Sequence, residues 1–131
     1  MFIDIIAGAR PNFMKIAPII CTLKARAADG GTLRYRLVHT GQHYDAEMSD
    51  VFFAELGMSQ PKYTLGIHGG GHGRMTGRML EAIEEVIKIE QPAVALVYGD
   101  TNSTLAGALA AAKLQVPVAH IEAGLRSFNR N

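Results

Sequence analysis

Asp100 and Glu122 each stand just past the end of a short apolar run, 93–98 and 116–121, with one helical pattern between the runs. Two such runs joined by a helix are the pattern of adjacent parallel strands, which lie only ~4.8 Å apart. The two carboxylates are therefore expected on one rim of a sheet, the place where open α/β sheets bind ligands. A pair of acids sharing a cleft can give and take protons. The alternatives are plainer: Asp100 as an acid that complements a helix N-terminus, and Glu122 in a salt bridge to Arg126 or another cation.

Arg10 and Lys15 bracket the first strand-to-helix turn, where backbone amides already favour negative charge. A diphosphate fits such a place; the alternative is a pair of solvated surface charges. The turn GARPNF is not the GxGxxG fingerprint of dinucleotide domains, and no stretch matches GxxxxGK[ST]. His43, after the second strand, is either a ligand hydrogen-bonding group or a satisfied structural histidine, while His120 reads as half-buried packing. His68 and His72 are four apart, but the glycines between them deny the helix that would aim both at a metal, so none is expected.

Apolar spacing predicts the strands and helices that carry these residues. Phe2–Ala7 reads as a buried strand, followed by a Gly8–Pro11 turn. A helix with Phe13, Ile16, Ala17, Ile20 and Leu23 inward comes next, kinked rather than broken at Pro18. Tyr35–His39 makes a second strand; Asp45–Leu56 reads as a short helix with Met48, Val51, Phe52 and Leu56 inward and Gly57 ending it. The stretch Gly66–Gly73, GIHGGGHG, reads as a loop. Met75, Met79, Leu80, Ile83, Val86 and Ile87 then repeat at helical spacing until Gln91-Pro92. Asn102 or Ser103 is placed to cap a last helix rich in alanine, which can pack closely on a sheet. Four strands alternating with helices predict an α/β fold, a Rossmann-like doubly wound parallel sheet.

A chain of 131 residues with 48% hydrophobic composition is sized for a single globular domain. A net charge of +1 without long charged runs leaves no footprint for nucleic acid or an anionic membrane. Cys21 is the single cysteine, expected to pack in a helix beside Ile20 and Leu23, so no intrachain disulfide can form and a reducing cytoplasm fits. No run is long enough to span a membrane. The tail Ala123–Asn131 has no periodic pattern, and we expect a single domain over residues 1–131 that is incomplete at its C-terminal end.

Taken together, GARPNFMKIAPI, HTGQH, VYGDTNSTLAGALAA and VPVAHIEAGLRSFNR closely resemble the non-hydrolysing UDP-N-acetylglucosamine 2-epimerase family, in order and spacing. The resemblance implies the N-terminal half of a glycosyltransferase-B-like architecture, with a second nucleotide-binding domain not contained in these residues. It implies that Asp100 and Glu122 are active-site carboxylates and that Arg10 and Lys15 contact substrate phosphates or sugar. His43 falls on a Gln-His pair that in some bacterial members helps to hold an activating UDP-sugar. The implied reaction converts UDP-GlcNAc to UDP-ManNAc by elimination and re-addition of UDP through a 2-acetamidoglucal, without a metal or redox cofactor. A UDP-sugar is the implied partner, with a homodimer as the implied assembly. Residues 1–131 alone are expected to be inactive or severely impaired.

Three other readings compete. The GARP opening and YGDTNSTLAGALAA also resemble the branch that epimerises UDP-2,3-diacetamido uronic acids for surface polysaccharides. A non-catalytic receiver-like or nucleotide-binding module would use Asp100 alone, but a receiver needs an acid pair after its first strand and a later strand-end Lys, and 116–122 offers none. The acceptor half of a glycosyltransferase on the same architecture would consume a separate acceptor.

Overall fold

In a computed structural model that describes residues 1–42, 50–124 and 128, the run Phe2–Ala7 forms strand β1 and Arg34–His39 forms β2. The two are parallel, with Ile5 beside Leu37 and Ile6 beside Val38. Tyr63–Thr64 is β3, Val94–Tyr98 is β4 and Val118–Ile121 is β5, and the five strands lie in the order β3-β2-β1-β4-β5, all pairs parallel. Helices Arg10–Ala28 (α1), Asp50–Glu55 (α2), His72–Glu90 (α3) and Asn102–Lys113 (α4) make the connections.

Strand alternation divides the core between the two faces of the sheet. Ile5, Ala7, Leu37 and Leu96 point to one face, where they meet Phe13, Ile16 and Ile20 of α1 and Phe52 and Phe53 of α2. Ile6, Val38, Ala95 and Val97 point to the other, against Met79 and Ile83 of α3 and Ala106 and Ala110 of α4. Phe13, Ile16, Ile20, Met79 and Ile83 have no exposed surface, and each such side chain contributes about 1.5–3 kcal/mol of burial free energy. Gly107 lets α4 lie on the sheet: a Cβ there would sit 3.1 Å from Ile6 and from Val97. The expected doubly wound α/β fold is thus observed.

Several local expectations are corrected. There are five strands among the described residues, not four, because β3 is a two-residue edge strand too short for a periodic signal. His72 and Gly73 belong to α3 rather than to the glycine-rich loop. The cap of α4 is Thr101, whose hydroxyl accepts from the Thr104 amide, rather than Asn102 or Ser103. Val51 is exposed, and Phe53 takes the inward place. Cys21 is exposed too, one helical step around from buried Ile20. Two other expectations hold: α1 is not broken at Pro18, and α3 stops at Gln91, a left-handed residue directly before Pro92.

Toward the N-terminal ends of the strands lies a buried charge network. Arg36 Nε donates to Asp4 Oδ1 at 2.6 Å, and its Nη1 pairs with Glu90 at 2.7 Å. Burial raises the Asp4 pKa despite the opposing hydrogen bond and charge of Arg36. Glu90 is lowered, first by the hydrogen bond from Lys62 and then by that from Tyr63.

Candidate functional site

Strands β2 and β4 flank β1, so the chain leaves β1 and β4 in opposite directions and their C-terminal ends frame a crevice. The turns Gly8-Ala9 and Gly99-Asp100 open into it. Gly8 has no room for a side chain: a Cβ would stand 2.0 Å from Thr40 Oγ1 and 2.4 Å from Ser103 Oγ. Those hydroxyls are 2.7 Å apart and buried. Gln42 Oε1 accepts from the Ser103 amide at 3.0 Å and from Ser103 Oγ at 2.8 Å, leaving Thr40 as the donor to Ser103. A polar seam therefore ties the end of β2 to the start of α4. Beside it, the buried His39 ring packs 4.9 Å from Phe13 and accepts from the Gly41 amide through Nδ1, with burial lowering its pKa.

Asp100 and Glu122 line one hollow of about 390 Å³, together with Thr101, Thr104, Leu105, Ala108 and His120. Lys15 reaches across from the first turns of α1 to donate to both Glu122 oxygens at 3.0 Å. That hydrogen bond is the main reason the Lys15 pKa is raised; the charges of Glu122 and Asp100 act in the same direction. The ammonium also lies 5.5 Å from the Tyr98 ring centre. Glu122 adopts a left-handed backbone, φ 63°, a conformation uncommon for a non-glycine residue and one that ends β5 abruptly. Gly99, φ 70°, makes the opposing turn, and a Cβ on it would approach Asn12 Nδ2 at 3.6 Å and Glu122 Oε2 at 3.8 Å.

Of the sequence-predicted residues, Asp100, Glu122 and Lys15 come together. Arg10, exposed as the first residue of α1, lies with its guanidinium 5.0 Å from the Phe52 ring centre and does not line this hollow. His43 and Arg126 lie outside the described residues. The plain alternative for Glu122, an ion pair, is present with Lys15 as the cation, which reaches a carboxylate that itself lines the hollow. His120 is exposed and walls the hollow, not the half-buried packing residue expected from Ala119 and Ile121. The seam of Thr40, Gln42 and Ser103 is not legible in the sequence, where Ser103 reads only as a candidate helix cap, since isolated hydroxyls and amides carry no periodic signal. Asn102 Nδ2 lies 3.0 Å from His72 Nδ1, holding the start of α3 to that of α4. Among the described residues no group of three or more His, Cys, Asp and Glu side chains is arranged to hold a metal ion, and no helix is long and apolar enough to cross a membrane. Two carboxylates on one hollow, with an ammonium paired to one of them, can transfer protons and hold an anionic leaving group.

Residues 25–131 match the family described as UDP-N-acetylglucosamine 2-epimerase. The chain is 60% identical over 124 residues to a UDP-2,3-diacetamido-2,3-dideoxy-D-glucuronate 2-epimerase of Pseudomonas aeruginosa, covering 95% of this chain and 34% of that protein. It is 50% identical over 131 residues to a UDP-N-acetylglucosamine 2-epimerase of Methanocaldococcus jannaschii, covering 100% of this chain and 34% of the relative. The crystal structure of the M. jannaschii UDP-GlcNAc 2-epimerase in complex with UDP-GlcNAc and UDP superposes with a TM-score of 0.87, covering all of this chain and 35% of that one. The chain thus spans about a third of the length of the relatives it matches.

Proposed function

This chain belongs to the UDP-N-acetylglucosamine 2-epimerase family, and from that premise we propose that it forms the N-terminal, acid-bearing wall of the active cleft of a sugar-nucleotide 2-epimerase. The substrate is UDP-GlcNAc and the product UDP-ManNAc. The C2 proton of the sugar is not next to a carbonyl, so removal and return at C2 alone would face a very high barrier. Elimination avoids it. A base takes the C2 proton, the C1–O bond breaks, a C1=C2 double bond forms, and UDP leaves with the bonding electrons. UDP then re-adds at C1 while a proton is delivered to the opposite face of C2. Asp100 and Glu122 act as the acid/base groups, and Lys15 and Arg10 hold the diphosphate so that it leaves as a stabilised anion; His43 contacts the nucleotide sugar.

The observation that carries this reading is that Asp100 and Glu122 line one hollow at the C-terminal ends of β4 and β5, with Lys15 reaching from α1 to pair with Glu122. The test is product analysis with purified full-length protein containing these residues, supplied with UDP-GlcNAc; formation of UDP-ManNAc supports the reading, and unchanged substrate refutes it. A second substrate, UDP-2,3-diacetamido-2,3-dideoxy-D-glucuronate, is favoured by the 60% identity to the P. aeruginosa enzyme. Its selective turnover would move the assignment to that branch. We further propose that residues 1–131 constitute one domain, that the opposite wall comes from a second nucleotide-binding domain, and that the working enzyme is a cytoplasmic homodimer. Clear turnover by the purified 131-residue chain would contradict the two-domain proposal.

A further inference from the structure

The peptide of Gly99 is held on both sides by β5. Its N–H donates to Ile121 O at 2.9 Å, and its carbonyl lies 2.7 Å from His120 Nε2. A carbonyl only accepts, so Nε2 carries the proton. One residue earlier, the Tyr98 carbonyl accepts from Thr104 Oγ1 at 2.6 Å and from Asn12 Nδ2 at 3.2 Å. Three of these four bonds come from partly buried side chains or the strand ladder. The fourth comes from an exposed histidine that contributes nothing to the core. Strand alternation explains its direction: Ala119 and Ile121 pack on the α1 face, which turns His120 toward α4 and the hollow.

From this geometry we propose that His120 is a positioning residue, one that sets Asp100 against Glu122. It joins the left-handed turn at Gly99, from which Asp100 projects, to the strand that delivers Glu122 two residues later. Loss of the bond frees the Gly99 carbonyl to rotate, and Asp100 moves relative to a carboxylate whose own place is fixed by Lys15. An ångström of misplacement between reacting groups can cost on the order of a hundredfold in rate. The inference rests on the epimerase reading for its catalytic consequence, though not for its geometry.

The test compares H120A, H120Q and H120N in the full-length protein. The amide nitrogen of Gln falls where Nε2 does, whereas that of Asn stops short. The expected result with UDP-GlcNAc is a kcat loss of about 10- to 100-fold for H120A and H120N, with KM changed less than about threefold, and recovery to within about fivefold of wild type for H120Q. Wild-type kcat in H120A, or equal losses in the Gln and Asn variants, overturns the proposal. A second arm needs no activity: in the ¹⁵N-labelled 131-residue chain, the His120 ring should show the Nε2-protonated tautomer, and the Gly99 and Asp100 resonances should move in H120A and return in H120Q at unchanged thermal midpoint. Unmoved Asp100 resonances overturn the proposal as well. Failure of the wild-type protein to epimerise would sink the functional reading alone, leaving this arm to decide the placement of Asp100.

Discussion

Lys15 Nζ stands 3.0 Å from each carboxylate oxygen of Glu122, joining residues 107 positions apart in sequence. The contact crosses the crevice from α1 to the end of β5 and brings a cation beside the acid pair. Its half-exposed setting limits its worth to the fold, since ion pairs in water contribute little. Its value lies in where it places charge.

If Lys15 holds the leaving diphosphate, K15M should weaken UDP binding by at least about tenfold while leaving the thermal midpoint unchanged. Calorimetric titration of the full-length variant with UDP, at two salt concentrations, measures this. Unchanged affinity would place Lys15 outside the diphosphate site.

Gly8 faces two buried hydroxyls that a methyl group would overlap. Gly8→Ala should therefore destabilise the fold by at least about 2 kcal/mol and separate the end of β2 from the start of α4. Urea unfolding of the 131-residue chain reads the cost, and a stability within 0.5 kcal/mol of wild type (an about twofold change in the folding constant) would show that the seam gives way freely.

Burial holds the His39 pKa below its usual 6.5, so the unfolded chain takes up a proton first as pH falls. The stability this residue contributes is complete above pH 6.5 and is lost as pH drops through the folded-state value. H39F should flatten the fall in thermal midpoint between pH 7 and about 5, while costing about 1–3 kcal/mol at pH 8 through the Gly41 amide left without its acceptor. Melting curves over that range test both effects.

Arg36 pairs with both Asp4 and Glu90 in the interior, and one Asp4 oxygen, Oδ2, has no hydrogen-bond partner among the described residues. R36M should cost about 3–5 kcal/mol at pH 7. Because the folded-state pKa of Asp4 is raised, its burial is best tolerated at low pH and becomes less favourable as pH rises through that value. The deficit of R36M should thus shrink toward pH 4 in denaturant titrations.

The parts of this molecule that apolar spacing governs were legible. The runs ending at Ala7, His39, Tyr98 and Ile121 became strands, and the acids placed after the last two share a hollow. The alanine-rich stripe lies on the sheet as its small side chains allow. What spacing does not encode was missed. The two-residue β3 has no period, and the glycines around His72 hid the start of α3. His120 reads as packing because its neighbours are apolar, yet alternation along a strand turns every second residue the other way, toward the hollow. The seam of Thr40, Gln42 and Ser103 joins two segments distant in sequence, and the left-handed backbone of Glu122 is visible only in coordinates.

In the proposed reaction Asp100 and Glu122 exchange the C2 proton of a UDP-sugar. The most direct test of that exchange is UDP-GlcNAc turnover in D2O by the full-length protein, followed by mass and NMR analysis of the product. One solvent deuterium at C2 of UDP-ManNAc is expected from wild type, with D100N and E122Q each slower by at least about 100-fold and correctly folded. Product free of solvent deuterium, or wild-type rates in both variants, would contradict it.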